Sequence, residues 1–242
     1  DNYKFVVFDL FFEDKSIYDS VLFSECNRMK NSVFGFRTNS VFSQLYPIDK
    51  DKIGYVNINS INNIFLNFEL MDNDSVKSLP LKMFEKINNI NFTNNGLYLS
   101  GGGLSVLNQI VIDYPLRYFD FHNLEIKEKH SLLNLNQLID SNIFSDRARN
   151  NLLKNKILIV GDFSGNNDIH PTIYGDMPGA LIMLNIYYNL EYKYNQITTL
   201  KIITLFLIFF LFSAYLFSKK RILKNLVKFI PKYPVLTFWL RN

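Results

Sequence analysis

The 242 residues suffice for one sizeable core plus a membrane segment, and two full soluble domains would be crowded. With 48% hydrophobic residues, among them 23 Phe and 14 Tyr, and only 20% charged, the composition excludes a disordered chain. Eight of the 26 basic residues lie at or beyond Lys201, so the first 200 positions hold 18 basic against all 22 acidic residues; the formal charge of +4 belongs to the tail, and nucleic acid is excluded as a partner.

In chain order, Lys4–Phe12 is a nearly continuous apolar run broken by Asp9, which suits a strand covered on both faces, as in parallel sheets. Ser16 is placed to cap a helix running to about Lys30, with Asp19 three positions on as a capping box. Ser32–Arg37 reads as the next strand, giving β-α-β spacing. Ile53–Asn59 and Ile64–Met71 read as a pair of strands joined by a turn at Asn62-Asn63. Leu79–Ile90, with Pro80 in its first turn, predicts an amphipathic helix. Gly96–Ser100 and Gln109–Asp113 read as strands around Gly101-Gly102-Gly103. Asn134–Asp140 predicts a short helix, Ala148–Asn155 leads into a strand over Ile157–Val160, and Ala180–Glu191 is the last helix of the domain. The expected fold is one α/β domain with a single mixed or mostly parallel sheet and flanking helices, followed by a transmembrane helix.

Ile202–Phe217 carries no charge, and extension to Ile197 and Ser218 gives the roughly 20 residues that cross a hydrocarbon layer of about 30 Å. Lys219, Lys220, Arg221, Lys224, Lys228, Lys232 and Arg241 follow with no acid among them, which marks that end as cytoplasmic and the preceding domain as extracytoplasmic. Phe229–Leu240 is too short and Pro-broken to span, and reads either as an interfacial segment or as the start of a second span. Only about six residues separate Leu190 from Ile197, none of them Gly or Pro, so the domain's last helix is expected to run into the span with little flexible joint. The chain opens at Asp1 already in a strand pattern, without a signal peptide, and an earlier segment is expected to precede it. The lone Cys26 excludes an intrachain disulfide and multi-Cys metal sites.

Asp9 and Asp162 each end a strand, and in a parallel sheet such residues converge on the crevice where ligands bind. With Asp168, His170 and Thr172 they form the candidate ligand site. Three readings stand open: turn-holding carboxylates, a ligand pocket, or a cation site for Ca²⁺ or Mg²⁺. Gly161, Met177, Pro178, Gly179 and Asn185 read as geometry, with Pro178 fixing the entry of the helix, Gly179 allowing close approach to the sheet, and Asn185 satisfying a buried backbone group. Gly161–Gly165 and Gly101-Gly102-Gly103 lack the continuation of a nucleotide loop and read as turns, and His122 and His130 as surface residues. No nucleophile elbow or zinc-helix motif occurs, so no enzyme activity, catalytic residue, resident metal or cofactor is expected.

Lys156-Ile-Leu-Ile-Val-Gly-Asp162, Asp168-Ile with Thr172, and Met177-Pro178-Gly179 with Asn185 stand at the spacing of a Gly-Lys-Ile-Val-Leu-Ile-Gly strand, an Asp loop and a Met-Pro-Gly-Val helix entry. Val6–Phe12 is similar to a Phe-Asp-Val-Leu-Phe strand. On these stretches the chain resembles the CHASE type 2 family, the sensory extracellular domains associated with cyclases and histidine kinases. The sequence departs from that pattern at Asn155, where Gly is usual, at Ile173, where Pro is common, and at Met183, where His is frequent. The resemblance implies a sensory role without naming a ligand.

The expected organisation is therefore a sensory domain over 1–196, a transmembrane helix over 197–218, and a basic cytoplasmic segment over 219–242. The expected function is signal input at a bacterial cytoplasmic membrane. The alternative is a non-catalytic envelope-complex subunit using the domain as an interaction module. The expected partners are the lipid bilayer and either other membrane subunits or a second copy of the chain.

Overall fold

The structure is a computed structural model that describes residues 3–10, 16–37, 48–56, 64–72, 76–96, 98–118, 130–140, 145–163, 168–194 and 196–217. The turn at Asn62-Asn63, His122, Ser218, the basic tail and Phe229–Leu240 lie outside them. The chain falls into two compact units, residues 1–196 and 197–242.

The first unit is built on a four-stranded parallel sheet, β1 (Phe5–Asp9), β2 (Ser32–Phe36), β3 (Ile53–Tyr55) and β9 (Ile157–Gly161), in the order β3-β2-β1-β9. Residues of alternate parity on β1 and β2 face opposite layers, which is why β1 reads as a nearly continuous apolar run. Phe5, Val7 and Val33 enter the main core, and Phe8 stacks on Phe34 at 4.8 Å in a second layer with Phe23, Cys26 and Ile48. Helix α1 (Asp19–Arg28) covers that second layer. Its start keeps half of the expected box, the Asp19 carboxylate accepting from the Ser16 N–H at 3.0 Å. Its end is closed from outside: the buried Lys52 ammonium donates to the carbonyl oxygens of Cys26 (3.3 Å), Asn27 and Met29 (2.9 Å), groups that a helix end otherwise leaves unpaired.

The main core lies on the other face, under α2 (Leu79–Asn88) and α5 (Gly179–Glu191), which meet through Phe84 and Tyr187. Pro80 stands in the first turn of α2 and Asn89 ends it in the left-handed region at φ 53°. Gly54 on β3 sits so close under α2 that a Cβ would lie 2.5 Å from the Leu79 Cα.

The remaining strands form antiparallel ribbons around this core. β4 (Asn67–Glu69) pairs with β8 (Gln109–Val111), β5 (Thr93–Asn94) with β6 (Tyr98–Gly101), β6 with β7 (Leu104–Leu107), and β10 (Ile169–Thr172) with β11 (Gly175–Pro178). This corrects one expectation: among the described residues, 53–56 and 64–71 do not pair with each other, because β3 joins β2 in parallel and β4 takes β8. Gly102 and Gly103, at φ 56° and 76°, form the two-residue turn between β6 and β7, as the Gly triplet led us to expect. Helices α3 (Leu135–Ile139) and α4 (Asp146–Leu153) precede β9, capped by the side chains of Asn134 and Ser145.

The expectation of a continuous helix into the span is also corrected. Helix α5 stops at Glu191, Lys193 takes φ 60°, and Gln196 forms an antiparallel bridge with Val106 of β7. In the second unit, α6 (Thr199–Phe217) contains an 18-residue stretch, Thr199–Leu216, of mean hydropathy 2.1 with no buried residue. It is long and apolar enough to cross a membrane.

Candidate functional site

The carboxyl edge of the parallel sheet gathers the polar residues singled out from the sequence. Asp9 is the last residue of β1, opposite Gly161 of β9. Two glycines make room for it. A Cβ on Gly35 of β2 would lie 3.3 Å from its Oδ1, and a Cβ on Gly161 would meet the Ala180 Cβ of α5 at 2.7 Å. The missing side chains let α5 close onto β9 and enclose Asp9, which is 8% exposed.

Asp168 and His170 reach the same edge from the start of the β10–β11 hairpin. His170 Nε2 lies 2.9 Å from Asp168 Oδ1, and the His170 ring stands 6.4 Å from that of Phe65. The Asp168 main-chain oxygen accepts the Gly179 N–H at 3.0 Å, and its carboxylate occupies the space a Gly179 Cβ would take. Gly179 therefore brings a carboxylate against the first turn of α5, where the helix dipole favours negative charge. Met177 opposite His170, and Pro178 opposite Ile169, hold the hairpin in register.

The other residues are placed differently. Thr172 is buried in the hairpin turn, donating to Gly175 O at 2.7 Å and accepting from Tyr174 N–H at 3.1 Å. Asp162 is half-buried beyond β9, and the polar turn 164–167 lies outside the described residues. Asn185 is fully buried: its Oδ1 accepts Leu116 N–H at 2.9 Å, and its Nδ2 donates to Leu116 O at 2.8 Å and Leu181 O at 3.0 Å. Asn189, one turn on, treats Asp113 the same way, accepting its N–H at 2.9 Å and donating to its oxygen at 2.6 Å. His130 is half-buried and 2.8 Å from Tyr188 Oη, which departs from the surface role read for it.

The edge is electrostatically coupled. Burial pushes the Asp9 carboxyl up to about 7, the Asp168 charge adds to that rise, and Arg37 and His170 oppose it. A carboxyl in that range takes up or releases a proton near neutral pH, so the site can link protonation to the packing of α5 on β9. Among the described residues no group of three or more His, Cys, Asp or Glu is placed to hold a metal ion. The cation reading of Asp9, Asp162, Asp168 and His170 therefore gains no support from their geometry. Arg37 reads in the sequence as the ordinary last residue of a strand; the strand ends at Phe36, and Arg37 acts on Asp9 from the same edge.

Fold and edge together define an α/β domain with a charge-coupled polar cluster where its parallel strands end, Asp9 buried and Asp168 and His170 half-buried. A family model for the CHASE2 domain matches residues 1–216. The chain belongs to the CHASE2 domain family, which consists of extracellular sensory domains. No curated protein and no solved structure matches it.

Proposed function

We propose that this chain is the signal-input part of a bacterial membrane signalling protein, with residues 1–196 outside the cytoplasm and α6 crossing the cytoplasmic membrane. The observation that carries this reading is the span of the family match: it takes in both the folded unit and α6, an unburied apolar helix beginning three residues after Gln196. The seven basic residues beyond Ser218 support the orientation. A stimulus at the domain would bias two packings of α5 and the β10–β11 hairpin against the parallel sheet, the proton-linked Asp9 lying between them. The bias would leave the domain through the segment after α5, where Gln196 bridges to β7.

The test is the reactivity of single cysteines at Asn94 and Asn225, in a Cys26→Ala background, toward a membrane-impermeant thiol reagent in intact cells. Labelling at Asn94 with protection at Asn225 is expected. Labelling at Asn225 alone inverts the topology and removes the sensory reading.

A further inference from the structure

A cavity of about 720 Å³ lies between α2 and the turn Lys50–Lys52, and Asp9, Arg37, Asp168 and His170 are not among its lining residues. Its apolar part is supplied by Phe36, Ile53, Val76 and Ile90. Its charged part is four lysines, Lys50, Lys77, Lys82 and Lys86, against Asp51 and Glu85.

One of these cations is already used. Lys77 Nζ donates to Glu85 Oε1 at 2.6 Å and to the Asn91 side-chain oxygen, and that same Glu85 oxygen accepts the Phe92 N–H at 2.5 Å. With Glu85 buried and Lys77 nearly so, this pair is neutral within the wall. Of the remaining lining charges, Lys50, Lys82 and Lys86 stand against Asp51, an excess of two positive charges that Asp49 and Glu85 offset only in part.

Lys82 and Lys86 are four residues apart on one face of α2, half-buried, and among the described residues neither makes a hydrogen bond or ion pair through its ammonium group. Burial pushes both ammonium groups below the ordinary lysine value, with Asp51 as the chief opposing charge. Like charges at this spacing repel on a helix, and partial burial adds to the cost. Nothing in the packing of α2 requires the two together: its buried face is made of Leu79, Leu81, Met83 and Phe84, with Glu85 held by Lys77.

We propose that this cavity binds a small dicarboxylate, its two carboxylates on Lys82 and Lys86 and its carbon chain on the apolar floor. The spacing sets the class: Cβ atoms four apart on a helix stand about 6 Å from each other, which suits acids of about four to six carbons whose carboxylates are similarly spaced. An ammonium group offers a point charge with three donors, matched to a carboxylate oxygen. As the stimulus of a sensor this assignment rests on the proposed function; as a binding site it does not.

The test is calorimetry and thermal unfolding of the full chain in detergent, with succinate, glutarate and adipate as probes. Butyrate and sodium chloride at matched ionic strength are the controls. At least one dicarboxylate is expected to bind with a dissociation constant below about 1 mM and to raise the melting temperature saturably. Lys82→Gln and Lys86→Gln are each expected to weaken binding at least tenfold while leaving the ligand-free melting temperature unchanged or higher, since each relieves the repulsion. The proposal is overturned if the dicarboxylates act no differently from chloride or butyrate, if binding survives both substitutions, or if either variant melts lower without ligand, which would make the lysines structural. Cysteine labelling decides membrane orientation independently, so a failed titration leaves the topology reading standing.

Discussion

Asp9→Asn isolates the charge at the carboxyl edge of the sheet. The amide keeps the shape of the carboxyl and cannot ionise. In the native domain burial holds the Asp9 carboxyl at about 7, against 3.8 for an ordinary aspartate. Between those two values the unfolded chain loses the proton while the folded chain keeps it. This contribution to stability is fully present below pH 3.8, declines as pH rises, and is lost above about 7. The displacement corresponds to about 4 kcal/mol over the whole window. Urea unfolding of wild type and Asp9→Asn in detergent, from pH 4 to pH 8.5, should give curves that meet in acid and separate toward alkali. The variant should be the more stable by up to about 4 kcal/mol at pH 8.5. Parallel curves, or a variant less stable at high pH, would mean that Asp9 is ionised in the native domain and held by Arg37 and His170, and the proton-linked reading of the edge would fall.

Asn185→Ala leaves both Leu116 backbone groups unpaired inside the core and should cost about 2–4 kcal/mol in the same urea assay at pH 7. Asp168→Ala, which removes the carboxylate beside α5, should cost about 1–2 kcal/mol. Gly54→Ala forces a methyl group into the backbone of α2 and should destabilise by more than about 2 kcal/mol, seen as a fall in melting temperature. Lys52→Met frees three carbonyl oxygens at the end of α1; hydrogen exchange should quicken over the last turn of α1 while the β1 amides stay protected.

The parallel sheet was legible because β1 and β9 carry apolar runs, which β1 buries and the edge strand β9 leaves half-buried. Asp9 was legible because it interrupts such a run at its end. The Met177-Pro178-Gly179 entry was legible as geometry, although the reason for Gly179, a carboxylate in the place of its side chain, needs the fold. Asn155 makes the same point at a departure from the family pattern: at φ 58° it occupies the left-handed conformation that glycine, usual there, adopts without strain. The pairing of β3 with β2 and of β4 with β8 was not legible, since short strands of mixed polarity carry no register and the nearer partner looks the better one. Nor were the lysines. Lys52 reads as a solvated cation until the end of α1 is placed above it, and Lys82 and Lys86 read as the outer face of an amphipathic helix until the turn Lys50–Lys52 walls them in. The absence of Gly and Pro before the span reads as continuity, whereas Lys193 turns the chain and Gln196 is drawn to β7.

Asn185 and Asn189 act on the segment from Asp113 to Leu116 as a strand would, each closing a two-bond ring with one residue's backbone. A side-chain ladder of this kind has a mechanical sense. Apolar ridges let a helix slide or roll by small steps, each contact being exchanged for a similar one, but these four directional bonds have no neighbouring positions to move to. Rotation of α5 about its own axis would break all of them together, the Leu116 pair inside the core and the Asp113 pair at its margin, at a cost of several kcal/mol. The helix and the segment 113–116 therefore travel as one rigid body. A tilt or shift of α5 that carries this segment along keeps all four bonds, so it costs less than rotation.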